Sequence, residues 1–390
     1  MEVRKLTREE RYQASLISTL AFHMRKEDLE KLRKESLEET ADDWGAFDED
    51  GRLMAHIINH RFQSYLDGSL IVNGGIGAVS TLPEYRNDGA VKAIFGKLLT
   101  DACRSGEVIS TLFPFSHAFY RKFGYETARW QNAYCFPPDA LRDYRFAGQA
   151  EQWQPGMPVD AYTKLYNRFA SDFNLAIHRD DHSMLEKHVR GEWYKDRKFC
   201  YLLRDGDHVL AYLIFQDVWN EPGAILSVRD AAWDGPEGFR AILGFLARFS
   251  ADYHMIELIL PDSLELLSVI HSSKTYDIKK TARQNYMIRV INAQKLLSSI
   301  RKPERTCFAI QVSDPWIPEN NGTWQVTEEV VRPFSGTADL SVSVQALGLL
   351  ASGCASLSEA AYREDVKISG KRELLERVFP RKPVWMAENF

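Results

Sequence analysis

The segment from Leu70 to Cys103 constrains this chain most. A strand rich in Val and Ile, Leu70 to Thr81, runs into Pro83 and a polar stretch ending at Gly89, and an amphipathic helix follows from Ala90 to Cys103. That order sets the first turn of a helix directly after a strand end, so unpaired amide donors and the positive end of the helix dipole converge on one spot. Such a spot suits an anion such as a pyrophosphate. Gly89 lets the backbone approach the anion closely, and Lys92 adds a cation.

The surrounding sequence continues the alternation of strand and helix. Val3 to Leu6 reads as a strand, and Thr7 with Glu10 has capping-box spacing at the start of a helix reaching about Phe22. Trp44 to Phe47, the turn Asp48-Glu49-Asp50-Gly51 and Leu53 to Asn59 form a hairpin pattern. After the Leu70–Cys103 segment come a strand at Val108 to Phe113, a short helix at His117 to Phe123 and a closing strand through Arg129 to Phe136. The order is β-α-β-β-β-α-β-α-β.

At 390 residues the chain exceeds what one hydrophobic core supports. A second, weaker copy of the pattern follows the polar stretch Gln152 to Pro158. It has a helix at about Val159 to Phe173, a hairpin turning at Arg204-Asp205-Gly206-Asp207, a strand at Ile225 to Val228, a helix at Phe239 to Phe249 and a strand at Ile256 to Leu260. From about Arg289 the pattern changes to a helix at Ala293 to Ile300, strands at Cys307 to Val312 and Trp324 to Val326, and helices near Val344 to Leu350 and Glu373 to Val378. We therefore expect an α/β (α+β) protein of three domains, at residues 1–150, 151–288 and 289–390: one fold in two tandem copies, then a third α+β domain.

A formal charge of −5 gives no basic field for a phosphate backbone, which argues against a nucleic-acid partner. Cys103, Cys135, Cys200, Cys307 and Cys354 are odd in number and never spaced as CxxC, so neither a disulfide framework nor a metal site is expected. The start is charged from its second residue, and no apolar run approaches the ~18 residues of a membrane span. A cytoplasmic protein without a membrane span is the expectation.

Two motifs carry the chemistry. Arg86-Asn87-Asp88-Gly89-Ala90-Val91 resembles the acyl-CoA-binding motif Arg/Gln-x-x-Gly-x-Gly/Ala of the GNAT acetyltransferases, departing from it at Val91. The run Phe113 to Glu126, with Phe119-Tyr120-Arg121-Lys122-Phe123-Gly124-Tyr125, resembles the aromatic-Tyr-x-x-Phe-Gly-Tyr signature after the fifth strand of the same enzymes. With two such copies and a closing α+β domain, the whole chain resembles the Eis (enhanced intracellular survival) family. The resemblance implies acetyl-CoA as acyl donor, a sterol-carrier-like third domain and a small-molecule or peptide amine as acceptor. It implies that Tyr120 protonates the leaving thiolate and that the carboxylate of Phe390 is the general base. It further implies that backbone groups of Val79, Ser80 and Thr81, and of Asn87, Asp88, Gly89, Ala90, Val91 and Lys92, hold the donor, with Phe115 and Ser116 bordering it. Family members form hexamers of two trimers, so a homo-oligomer is implied as well.

The second copy offers Trp233-Asp234-Gly235-Pro236-Glu237-Gly238 where a phosphate turn would stand. Proline removes a donor there and Glu237 repels phosphate, so it reads as non-catalytic. His178-Arg179-Asp180-Asp181-His182 reads as a solvated loop rather than a metal site. Arg25 to Asp43, with Glu27, Asp28, Asp42 and Asp43, reads as a solvated face, and the resemblance sets it near the acceptor. Tyr125 reads as packing. The competing reading from another class is a non-catalytic acyl-CoA-sensing or lipid-binding protein. A third, an aminoacyl transferase of the Fem type working from charged tRNA, is disfavoured by the acidic balance.

Overall fold

The computed structural model describes residues 1–23, 41–129, 131–184, 197–220, 223–270, 277–283, 286–388 and 390. The chain divides into two compact units, one of residues 1–128, 286–382 and 388–390, the other of residues 129–285 and 383–387. Among the described residues no helix is long and apolar enough to cross a membrane.

The first unit opens with β1 (Glu2–Lys5) and α1 (Arg8–Phe22). The Thr7 N–H donates to the Glu10 carboxylate at 2.8 Å, closing the capping box the sequence predicts. β2 (Ala41–Phe47), β3 (Leu53–Leu66) and β4 (Ser69–Thr81) form an antiparallel meander. The β3–β4 turn places Asp67 and Gly68 at φ 51° and 84°, the left-handed pair a tight hairpin needs. α2 (Ala90–Arg104) then crosses to β5 (Ile109–Leu112), which pairs parallel to β4. Ile94, Phe95, Leu98, Leu99 and Ala102 face one way on α2 and are buried against Trp44, Ala46, Ala55 and Ile57. Each large apolar side chain of this kind contributes about 1.5–3 kcal/mol by leaving water. α3 (His117–Arg121) and the short strand Glu126–Thr127 follow.

The strand that flanks β5 in this sheet does not come from the first 150 residues. Gln131–Phe136, the closing strand in the sequence reading, pairs antiparallel with Met255–Leu260 and with Lys279–Arg283 in the second unit's sheet. The place beside β5 is taken by Met287–Val290, antiparallel, which also pairs with Glu126–Thr127. Apolar residues such as Tyr134 and Phe136 in one segment and Met287, Ile288 and Val290 in the other suit a strand; nothing in them names the partner.

In the second unit a hairpin of Lys198–Asp205 and His208–Asn220 leads to Gly223–Trp233, a helix at Gly235–Leu246 and a parallel strand at Met255–Leu260. This succession repeats that of β2 to β5. Arg179 departs from the solvated loop expected of it. It is 1% exposed, bonds Asp230 at 2.7 Å and lies 3.6 Å over the Tyr166 ring, while Tyr212 donates to the same carboxylate. A buried charge persists only when paired in this way.

The last part of the first unit is a five-stranded sheet in the order Val331–Pro333, Gly322–Thr327, Cys307–Ser313, Leu340–Ser343, Val366–Ile368. The helix Val344–Ser352 is buried, and its Gly348 lies against Ile288 and Val290 of the strand beside β5.

Candidate active site

Two irregularities mark the C-terminal ends of β4 and β5. Pairing between them covers only Asn73–Ile76 against Ile109–Leu112; β5 then stops while β4 runs on to Thr81. In the same stretch β4 bulges, since Ile58 pairs with Gly77 but His56 with Ser80, and Ala78 takes φ 51°. A bulge next to a site re-aims backbone groups that a regular ladder would consume. Val79, Ser80 and Thr81 lie in and just past it.

Beyond Thr81 the turn is held from outside. Tyr85 donates to the Asp48 carboxylate at 2.5 Å and Arg52 pairs with Glu84 at 2.6 Å. Asn87 and Gly89 sit at φ 74° and 82°, and nothing lies within 4 Å of where a Gly89 side chain would stand. The first backbone bond of α2 runs from Ala93 N–H to the Gly89 carbonyl, so the N–H groups of Gly89, Ala90, Val91 and Lys92 precede the helical ladder. Val91, the departure from the motif, packs its side chain against the sheet core and leaves its N–H on the turn. This is a cradle for an anion.

α3 lies after β5. Ser116 caps it, accepting from Phe119 N–H at 3.3 Å. Tyr120 is 2% exposed among the rings of Phe95, Phe115, Phe119 and Tyr125, with centroids 5.2–6.3 Å away. Burial, with Tyr125 adding to it, pushes the Tyr120 phenol well above its usual range, so it stays protonated through neutral pH. Phe115 covers Tyr120 from outside and is itself 69% exposed. Tyr125 is packing, as expected, with its hydroxyl 2.8 Å from Ser110 Oγ.

The segment after α3 is braced by the C-terminal domain. Arg289 and Asp314, both fully buried, pair at 2.8 Å. Asp314 orders the turn through Trp316 N–H at 2.9 Å, and Trp316 Nε1 donates to the Lys122 carbonyl at 2.7 Å. Gly124 has φ 86°, and a side chain there would come within 2.9 Å of Arg289 Nε.

Phe390 lies at the same end of the sheet. Its ring is 5.1 Å from Phe62, 5.8 Å from Phe113 and 6.1 Å from His60. Gly75 and Gly77 of β4 make room: a Cβ on Gly75 would stand 2.9 Å from Phe390 Cε2, and one on Gly77 3.4 Å from the Phe390 carbonyl carbon. Phe113 touches Phe390 and Phe115 touches Tyr120, so both candidate catalytic residues border the residues that follow β5. His60, Phe62 and Phe113 were not singled out from the sequence. The available signal is the glycine-rich stretch Gly74-Gly75-Ile76-Gly77 inside a strand, which marks a close approach.

Other side chains in this region have partners of their own. Ser80 turns its side chain inward, 3.4 Å from Ser18 Oγ, which in turn bonds the buried His56 Nε2 at 2.7 Å. Asp42 pairs with Lys5 at 2.9 Å and Asp43 with Arg11 at 3.1 Å, so these two acids form ion pairs. Glu27 and Asp28 fall outside the described residues.

Residues 2–128 match the acetyltransferase (GNAT) domain family. The chain therefore carries an acetyltransferase domain of the GNAT type. Residues 293–387 match the sterol carrier protein domain family. No curated protein matches the chain at a significant level. Among solved structures it is similar to a GCN5-related N-acetyltransferase from Anabaena variabilis ATCC 29413, at 20% identity and TM-score 0.88 with both chains covered fully. Eis1 from Mycobacterium abscessus is similar at 20% identity and TM-score 0.83, again over the whole of both chains. A probable N-acyltransferase from Enterococcus faecalis V583 is similar at 20% identity and TM-score 0.86, covering 100% of this chain and 99% of that one. At this identity the likeness is one of fold, and the chain has an Eis-like fold.

Proposed function

We propose that the protein transfers the acetyl group of acetyl-CoA to a primary amine of aminoglycoside, polyamine or lysine type. The amine nitrogen attacks the thioester carbon directly. As the C–S bond breaks, Tyr120 gives its phenolic proton to the thiolate, and the carboxylate of Phe390 takes the proton lost by the amine. No covalent enzyme intermediate and no metal enter this reading.

The observation that carries it is the meeting of three features at one end of one sheet. These are the anion cradle at Asn87–Lys92, the buried Tyr120 beside Phe115 and Ser116, and Phe390 seated against the β4 glycines. Pantetheine lies along the backbone of Val79–Thr81 on the side toward β5, where pairing ends at Ile76, while Ser80 and Thr81 stay paired with His56 and Ala55 on the other side. A raised phenol is a weak acid in water, but a thiolate left in the same water-poor surroundings is a correspondingly stronger base.

The second copy of the strand pattern has a structural role in this reading. Its turn is closed by Asp234, which pairs with Arg168 at 3.0 Å and His208 at 2.8 Å, and its helix begins at Gly235 with proline following. The five cysteines are free, in keeping with a reducing cytoplasm. By family resemblance the protein works as a homo-oligomer, a hexamer of two trimers.

The test is thiol release from acetyl-CoA against polyamines, aminoglycosides and lysine peptides, with Tyr120→Phe alongside. Turnover in the native chain that falls about 100-fold or more in the variant, at little change in acetyl-CoA affinity, supports the reading. Acetyl-CoA binding without turnover for any amine favours the acyl-CoA-sensing reading, and absence of binding overturns both.

A further inference from the structure

We infer that His60 is a positioning residue for the Phe390 carboxylate, acting across the gap that Gly77 leaves in β4. The inference rests on the reading of that carboxylate as general base. His60 lies on β3 opposite Gly75, two residues along the ladder from the Ile58–Gly77 pair. A Cβ built on Gly77 would stand 3.4 Å from His60 Nε2 and 3.4 Å from the Phe390 carboxyl carbon. An imidazole nitrogen and the carboxyl carbon therefore both border the methyl-sized space over Gly77.

The ring orientations agree with this role. His60 stacks on Phe62 at 5.6 Å with planes 18° apart, and Phe62 packs tilted on Phe390 at 5.1 Å. The aromatic side chain of Phe390 is thus held by Phe62 and Phe113. An imidazole N–H at Gly77 fixes the orientation of the carboxyl group by charge-assisted hydrogen bonding to one of its oxygens, and the other oxygen takes the amine proton. Asp42 and Asp43, the acids on the neighbouring strand β2, are engaged by Lys5 at 2.9 Å and Arg11 at 3.1 Å.

The experiment is a double-mutant cycle on the full chain, using acetyl-CoA with the best amine found above. One arm is His60→Gln, which keeps a donor, and His60→Phe, which keeps the ring. The other replaces the carboxylate of Phe390 by a carboxamide through ligation. A positioning role predicts about a 10-fold or greater fall in kcat for His60→Phe with the acetyl-CoA KM within about twofold, and partial recovery in His60→Gln. In the carboxamide chain neither His60 variant lowers kcat further, because the group it positions is gone. Gly77→Ala, which wedges a methyl between the two groups, gives the same kcat loss if the His60 variants fold poorly. Additive effects of His60→Phe and the carboxamide, or unchanged kcat in His60→Phe and Gly77→Ala, overturn the assignment of His60. Full activity of the carboxamide chain overturns the general-base reading itself.

Discussion

Arg363 of the sterol carrier domain reaches the Glu126 carboxylate of the acetyltransferase domain at 3.1 Å, while Arg121 of α3 holds the other oxygen of that carboxylate at 2.7 Å. The helix bearing Tyr120 is therefore tied to a domain nearly 240 residues away in sequence.

Arg363→Ala should loosen that tie. Burial alone raises the Glu126 carboxyl, but hydrogen bonds from Arg121 and Thr127 N–H and the charge of Arg363 hold it below the usual range. The variant should lose about 1–2 kcal/mol at pH 7 in urea unfolding. A depressed carboxyl contributes fully above its unfolded pKa of about 4.5 and loses that contribution as pH falls through its folded value. The gap between native chain and variant should accordingly close at acid pH; a gap that persists there would point to lost packing instead.

Glu107→Gln should stabilise the protein in neutral to alkaline solution. Burial pushes the Glu107 carboxyl up to about 7. Asn59 Nδ2 donates to its Oε1 at 2.8 Å, whereas Glu107 Oε2 and Asn59 Oδ1 have no partner among the described residues. A proton on Oε2, or the amide of Gln, serves that pair. A carboxyl raised in the fold favours folding below its unfolded pKa and loses this as pH rises toward 7, so the variant's gain should reach up to about 3 kcal/mol at pH 8 and vanish near pH 4.5. Urea midpoints across that range measure it.

His56→Gln should change the slope of stability with pH in the opposite sense. Burial holds His56 down to about 4, and Ser18 bonds its Nε2. The unfolded chain takes up this proton first, near pH 6.5, so the contribution of neutral His56 is complete above that pH and drains away toward pH 4, by up to about 3 kcal/mol. Thermal midpoints between pH 4.5 and 7.5 should show a shallower acid decline in the variant, whatever its absolute stability. An unaltered slope would mean that His56 does not titrate there.

Adding two residues after Phe390 should abolish turnover. The added residues convert the carboxylate into an amide carbonyl and must pass Gly77, where the carboxyl carbon already lies against the strand. A fall of about 100-fold or more in kcat is expected while the acetyl-CoA Kd stays within about threefold, because the Asn87–Lys92 cradle is untouched. Equilibrium binding and thiol release on the same preparation measure the two.

Local features of this site were readable in advance and distant ones were not. The turn at Asn87–Gly89 follows from residues that tolerate positive φ, and α2 follows from apolar side chains at helical spacing. Tyr120 came from a motif whose residues lie within seven positions of one another. The seat of Phe390 joins β3, β4 and the residue after β5 to a position over 270 residues further on, and no periodicity reports such a meeting. Arg179 was misread for the same reason: its partner Asp230 lies 51 residues away, and without it an arginine next to Asp180 and Asp181 looks solvated.

The exchange of closing strands bears on how the chain reaches its fold. β5 is complete only when Met287–Val290 lies beside it, so the nascent sheet of the acetyltransferase domain waits, with that edge bare, until about 175 further residues have been made. Closing so long a loop is slow, and a bare edge invites pairing with another chain. A ribosome paused before residue 287 would hold an aggregation-prone half-sheet, and a fragment cut at residue 150 would inherit the same exposed edge.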